Sequence, residues 1–470
     1  MAKLALYIFA LSFTLTTTIT AVCAQEPLSK NVTLLDHWDD VSLITHPSTK
    51  VRYNDVWGYT QNGIEYAMIG STEGVHFFRI QDNKLQEIDF VPGKFRHHTV
   101  VHRDIKTYKH YAYMVCDEGN SSLQIVDLQY LPDSVHLVYE NDQDFVTVHN
   151  LFLDETSELM YANLVKSVNP NTQLQLRLPM RIYSLADPVN PVHKYTGPNA
   201  GVDHVHDVYA RGNLAILNCG YDGLRVMDVT NSAYPIIKQS LTAYPDMGYN
   251  HQGWLTPDGK KYFLGDESKG KRLKMYELNG FQLSHKQSFG TNYKNESVPH
   301  NLMSDDSFLY VAYYNEGLRV YDIRGHVKEI GHYNTYNQVD TWYKMNGAWG
   351  VYSQLSDGKI LVSDRQSGLY LFQFDKNTAL YSKEEQCTVF PNPVLSNSEL
   401  TITLPAESLK FTQARLMDHQ GNVVAKWENF DWNTYQKLII KQKKGNYILE
   451  LEYINYMDEL EKCSSSIVVP

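Results

Sequence analysis

One seven-residue pattern recurs seven times along this chain and restricts what it can fold into. The cleanest copies are GLRVMDV (223–229) and GLRVYDI (317–323). GVHFFRI (74–80) and GLYLFQF (368–374) keep the leading glycine. SLQIVDL (122–128), RLKMYEL (272–278) and PMRIYSL (179–185) lose it but keep the alternation. A second short apolar run precedes each copy, among them YAYMV, LAILN and LYVAY. Repetition at a nearly fixed period is the mark of a solenoid or a propeller.

The period comes from a third element. A polar dipeptide lies upstream of each pair of runs: Asn54-Asp55, Arg103-Asp104, His149-Asn150, His206-Asp207, His251-Gln252, His300-Asn301 and Trp349-Gly350. Their second members are 49, 46, 57, 45, 49 and 49 residues apart, the long interval holding an insertion at 167–179. Four short strands in about 45 residues is the size of one propeller blade. The expected class is all-β, with a seven-bladed β-propeller over residues 31–385. The seventh repeat lacks a fourth strand, and NVTLLDHW (31–38) has no repeat of its own. As the outer strand of the last blade it would close the ring and remove an unpaired edge. Beyond residue 386 the blade spacing stops, and alternating strands with Gly turns predict a small β-sandwich over 387–470.

Residues 1–24 read as a cleaved signal peptide: Lys3, an apolar run over 4–13, and Val22-Cys23-Ala24 before Gln25. The apolar run is too short to span a bilayer, and no other stretch could do so. Lipidation at Cys23 is the weaker alternative, because Val22 stands where a small residue is expected. Loss of this segment removes only Lys3 and takes the formal charge from −11 to −12. That argues against nucleic acid as a partner, which selects a basic face. Export permits disulfides. Cys387 and Cys463 flank the C-terminal module and either pair or stay as free buried thiols. Cys116 and Cys219 fall on strands of different blades and read as small core residues.

Two resemblances enter on these residues. The C-terminal module resembles the type A sorting domain of the type IX secretion system of Bacteroidota, through Phe390-Pro391-Asn392-Pro393, the 416–421 turn LMDHQG and Gly445-Asn446-Tyr447. Its end departs, finishing SSSIVVP rather than on a basic strand. That resemblance implies export to the outer surface or the medium, by way of the periplasm, with the type IX machinery as partner. Residues 35–375 resemble the choice-of-anchor B family, whose blades carry LVIVD-type repeats. The residues carrying this likeness are YNDVWGY (53–59), HRDIK (102–106), YAYMVCDEG (111–119), LQIVDL (123–128), HNLFLD (149–154), HDVYA (206–210), HQGWLTPDGKKYFLGDE (251–267) and His300-Asn301. It implies fold and address, and no reaction.

One constellation has the composition for chemistry. His149, His206, His251 and His300 hold the same repeat position in four successive blades. Inner strands line a propeller's axis, so equivalent positions should form a ring at one depth. Four neutral imidazoles there could bind Zn, Cu or Fe, with binding weakening as pH falls through roughly 6.5. His204, Asp207, Asp55 and Asp104 are candidate supporting partners. The competing reading has the same residues hydrogen-bonding neighbouring blades and channel water. Arg103 could instead create an anion pocket. Asp127, Asp228 and Asp322 read as caps of the third strands. Asp266-Glu267 reads as a solvated turn, with a calcium site as alternative, and the His97-His98-His102 cluster as an exposed connector. No GxSxG, HExxH or P-loop occurs. The leading expectation is a binding or scaffold protein with an extracellular ligand. The alternative is a metal-dependent oxidoreductase or hydrolase with its site at the channel mouth.

Overall fold

The glycine that opens the repeat sits where two backbones nearly touch. In the computed structural model Gly223, Gly317 and Gly368 have φ of +82°, +73° and +100°. A Cβ there would be driven into the carbonyl oxygens of Leu241, Tyr333 and Trp38, which belong to the neighbouring outer strands. Only glycine combines that conformation with that approach. The strand that follows is buried on both faces: Leu224, Arg225, Val226 and Met227 are all buried. The aspartate that ends it turns the chain. Asp127, Asp228 and Asp322 accept hydrogen bonds from the amides of Gln129, Thr230 and Arg324, at 2.9, 3.0 and 3.0 Å.

The structure describes residues 28–376 and 388–470, apart from 170, 199–200, 292–297, 337–344, 404–407, 429–434 and 456–459. The signal segment 1–24 and Cys387 lie outside the described residues. Among the described residues no helix is long and apolar enough to cross a membrane. Seven antiparallel sheets follow one another along the chain. Their innermost strands are Tyr53–Gln61, Arg103–Tyr108, Asn150–Asp154, Asp207–Arg211, Asn250–Leu255, Leu302–Ser304 and Ala348–Tyr352. Each touches the next, and the last touches the first, so they enclose a central axis as in a β-propeller.

The seam is closed as the spare N-terminal strand required. Val32–Trp38 pairs with Gly368–Phe374 and becomes the fourth strand of the seventh sheet. Ser29–Lys30 goes further and adds a fifth strand to the sixth sheet through Tyr333 and His332, a pairing that a two-residue strand does not announce in sequence. Two more sheets occupy the C-terminal residues, one of three strands and one of four. They share a core of their own that includes Leu400, Ile402, Leu438, Leu416, Leu449 and Ile467. Cys463 is disulfide-bonded. Cys116 and Cys219 are buried free thiols, as expected of small core residues.

Removal of residues 1–38 should therefore open the ring. Val32 is buried, and Leu35 and Trp38 pack against the main core. Each fully buried side chain of this kind is worth ~1.5–3 kcal/mol, so the loss should reach roughly 3–5 kcal/mol in urea unfolding. A chain starting at Asp39 that unfolds at the same urea concentration as the full chain would refute strand-mediated closure.

Candidate functional site

The inner strands all begin at one end of the axis, and a local device brings two consecutive side chains inward there. A β-bulge interrupts the pairing at Asn250/Gln252, at Ala348/Gly350 and at Tyr53/Val56. A bulge re-aims a side chain that strict alternation would turn away. His251 and Gln252 thus both reach the axis. In the third, fourth and sixth sheets the corresponding residue lies just before the strand, free of the pleat.

The four histidines predicted to converge do so, and they belong to a larger closed ring. Successive centroid separations are 4.3 Å for His149–His206, 4.2 Å for His206–His251 and 4.3 Å for His251–His300. Trp349 follows at 3.9 Å from His300, and His102 closes the circle at 5.4 Å from Trp349 and 5.3 Å from His149. His102 is thus a ring member, while His97 is exposed and His98 half-buried on the connector. Arg103 occupies the equivalent register position but leaves the axis: its guanidinium donates to the carbonyls of Ser71 (2.7 Å) and Phe95 (2.6 Å). The anion-pocket reading of Arg103 is overturned by those bonds, which commit its donors to backbone.

The imidazoles are oriented by the next sheet. His300 Nδ1 lies 2.6 Å from the Trp349 carbonyl oxygen, and His206 Nδ1 lies 3.2 Å from that of His251. A carbonyl only accepts, so Nδ1 carries the proton and Nε2 is left with a bare lone pair. His251 Nδ1 is turned to the His300 backbone without reaching hydrogen-bond geometry and stays unpartnered while buried. Burial disfavours the charged form of all three. It pushes His206 and His300 well below the ordinary histidine range and His251 down to about 4.

The other half of the ring is tied to acids. Burial opposes a charge on His149, but its bond to Asp117 (Nδ1 to Oδ2, 3.0 Å) outweighs that and raises its pKa. His102 Nδ1 lies 2.5 Å from Glu118. His204 sits behind the ring, 5.9 Å from His206, and bonds to the Tyr249 hydroxyl.

Glu267, read from the sequence as part of a solvated turn with a calcium site as alternative, joins the histidines. Its carboxylate lies against the ring: Oε2 is 3.9 Å from His251 Nε2 and Oε1 is 4.0 Å from His300 Nε2. The Tyr314 hydroxyl donates to Oε1. Ligand atoms of His251, Glu267 and His300 all fall within 4.8 Å of one another, a cluster that could hold a metal ion. The solvated-turn reading of Asp266-Glu267 fails at both residues, since Asp266 is fully buried and ion-paired to Lys274 at 2.6 Å. One signal was available. Glu267 directly follows the second strand of its sheet, as Asp117 does in the second sheet.

Asp55, Asp104 and Asp207 do not support the imidazoles. They form a second, deeper layer with Lys106, whose ammonium bonds to Asp104 (2.6 Å) and Asp55 (3.1 Å). Burial pushes Asp55 up to about 7 and Asp207 well above the carboxylate range. This layer and the rings of Trp57, Phe152 and Trp254 line a cavity of about 20 Å³, room for roughly one water molecule. The same aromatic rings continue the wall beyond the polar layer.

The depressed imidazoles make a pH prediction. As pH falls from about 6.5 towards 4 the unfolded chain takes up protons that folded His206, His251 and His300 refuse. Metal-free protein should keep its full stability from these groups above that window. It should lose up to ~1.4 kcal/mol per pH unit for each imidazole within it. His149 has the opposite sign: its stabilisation is complete below roughly 6.5 and fades as pH rises through its raised value. Urea titrations across this range check the slope, and His251→Gln should reduce it by about one proton. An unchanged slope in that variant would show that His251 is not held neutral by the fold.

No protein-family model matches the chain, and no curated protein matches it. Among solved structures, a putative 6-phosphogluconolactonase from Bacteroides fragilis is 12% identical with a TM-score of 0.48, the match covering 70% of this chain and 92% of that one. A periplasmic gluconolactonase from Pseudomonas aeruginosa is 11% identical with a TM-score of 0.49, covering 89% and 99%. A putative 6-phosphogluconolactonase from Bacteroides uniformis is 12% identical with a TM-score of 0.46, covering 67% and 90%.

Proposed function

We propose that this chain is an exported seven-bladed β-propeller of the choice-of-anchor B type that binds a transition metal ion, Zn, Cu or Fe, at the mouth of its axial channel. Residues 387–470 are read as a β-sandwich that addresses it to the type IX machinery and so to the cell surface or the medium. The observation that carries the metal reading is the convergence of neutral, lone-pair-bearing imidazoles on a carboxylate in a buried corner of the ring. Buried acceptors without donors are costly unless a cation lies between them. The function that follows is metal-dependent binding of an extracellular ligand at the mouth. A metal-dependent oxidoreductase or hydrolase would use the same ion, and the half-exposed His102–Glu118 side of the ring supports that reading by leaving a way in.

Chelator-treated full chain should take up about one Zn, Cu or Fe ion at neutral pH, read by metal analysis and calorimetry. His251→Ala combined with His300→Ala should abolish uptake and leave the β-rich circular dichroism spectrum unchanged. Burial moves the competing protonation of these imidazoles below the ordinary value, so uptake should survive to lower pH than roughly 6.5. A wild-type protein that binds none of these ions ends the metal reading and leaves a metal-free binding scaffold.

Export is tested separately. Deleting residues 387–470 should leave the folded propeller in the periplasm, followed by fractionation and immunoblotting. Its normal appearance in the medium would overturn the sorting role.

A further inference from the structure

The geometry points to His251, His300 and Glu267 as the protein ligands of a divalent first-row metal, Zn²⁺ or Fe²⁺, with coordination positions left open at the channel mouth to a small oxygen- or nitrogen-donor ligand. This rests on the metal reading above and adds where the ion sits and what it can accept.

Three observations lead there. First, the atom that His300 turns into this corner is an acceptor, and so is the carboxylate it faces. His300 spends its Nδ1 proton on the Trp349 carbonyl, so the atom it turns to Glu267 is a bare Nε2. Separations of 3.9 and 4.0 Å are too long for a hydrogen bond and are bridged naturally by a cation. A backbone carbonyl holding the far nitrogen of a ligating histidine is the usual way to fix its tautomer and direction.

Second, His251 is unsatisfied where it cannot reach water. It is 3% exposed, its Nδ1 has no hydrogen-bond partner, and its Nε2 lies 3.9 Å from Glu267 Oε2. A buried polar group in that state calls for a missing partner. An ion on Nε2 would fix the proton on Nδ1, which already turns to the His300 backbone.

Third, the ring contains its own control. Asp117 and Glu267 each follow the last residue of the second strand of a sheet, and each faces the histidine of the next sheet. Asp117 bonds directly to His149 Nδ1 and is also 3.6 Å from Lys166. That corner is neutralised by a proton and an ammonium. Glu267 is one methylene longer, reaches the Nε2 side, and among the described residues has only the Tyr314 hydroxyl as donor.

Three protein ligands are fewer than a zinc or iron ion requires. His206 is the next imidazole round the ring but lies outside the cluster in which every ligand atom is within 4.8 Å of the others. Two histidines and one carboxylate with vacant positions is an arrangement that exchanges ligands, whereas structural zinc sites are closed by four protein groups. The vacant positions take water or a small carboxylate-like group.

The test uses chelator-treated full-length protein loaded with Co²⁺ as a visible probe, followed by calorimetry and by absorption with and without azide. Wild type should bind about one Co²⁺, and azide should shift its visible bands by entering the open position. Glu267→Gln should weaken binding at least tenfold, and Glu267→Asp, which keeps the charge, should weaken it less. Asp117→Asn should stay within about threefold of wild type. Circular dichroism and melting of each variant separate lost ligation from lost folding, and the aspartate variant serves if the glutamine variant does not fold. No Co²⁺ uptake by wild type overturns the metal reading itself. Uptake that survives Glu267→Gln but not Asp117→Asn moves the ion to the other side of the ring and overturns this ligand set alone. Bands unmoved by azide overturn the open positions.

Discussion

The inner edge of each sheet is the constraint on which everything near the axis depends. A four-stranded sheet packed radially leaves its first strand with one row of backbone groups unpaired and out of reach of bulk water. Unpaired buried amides and carbonyls are costly, so side chains from the neighbouring sheet must meet them. They do so in register. Asp55 accepts from the Ile105 amide (3.2 Å), Asp104 from that of Leu151 (2.7 Å) and Gln252 from that of Leu302 (2.9 Å). One residue nearer the mouth, His206 and His300 donate to carbonyls of the following sheet. Two rings of polar side chains thus stitch adjacent sheets along the axis. The same stitching fixes the tautomer and direction of the imidazoles.

A repeated scaffold becomes a site only where the repetition is broken. The ring position holds histidine in four sheets, tryptophan in the seventh, arginine in the second and asparagine in the first. The position after the second strand holds a carboxylate in the second and fifth. Superposed on the register, these choices divide one circle of aromatic rings into two electrostatic halves. Beside Asp117 and Glu118 the histidines have acid partners. Beside Glu267 burial keeps them neutral. Neutral imidazole is the ligating form, so the same low-polarity surroundings that cost solvation also prepare the corner for a cation.

Much of this was legible because it depends on period. The seven-residue repeat marks the third strands, and the dipeptide spacing sets the depth of His149, His206, His251 and His300. What escaped depends on direction rather than period. Arg103 holds the ring position in sequence, yet its long side chain turns to the carbonyls of Ser71 and Phe95, and His102, one residue earlier, takes the place on the axis. Glu267 lies just past a strand end in an Asp-Glu pair beside serine and lysine, a composition shared with ordinary turns. Its hydrogen-bond partner is Tyr314 of the next sheet, 47 residues away, which no local pattern reports.

The packing along the axis argues for the imidazole ring, rather than the layers below it, as the place where an ion could be held. Below the imidazoles, Asp55 and Asp104 already share Lys106, and Asp207 is pushed by burial towards its neutral form. That layer is internally balanced and encloses a space of about 20 Å³, too small for more than a water molecule. Further in, Trp254 packs edge to face on Phe152 and Tyr209, which are tilted against each other, with centroids 5.2 to 5.9 Å apart. Solvent and small ligands can therefore meet the imidazoles from one side only. An ion held there by His251, His300 and Glu267 would have protein behind it and its vacant positions directed outward. Contact with bulk water would be limited, so its field would act more strongly on whatever binds than it would on an open surface.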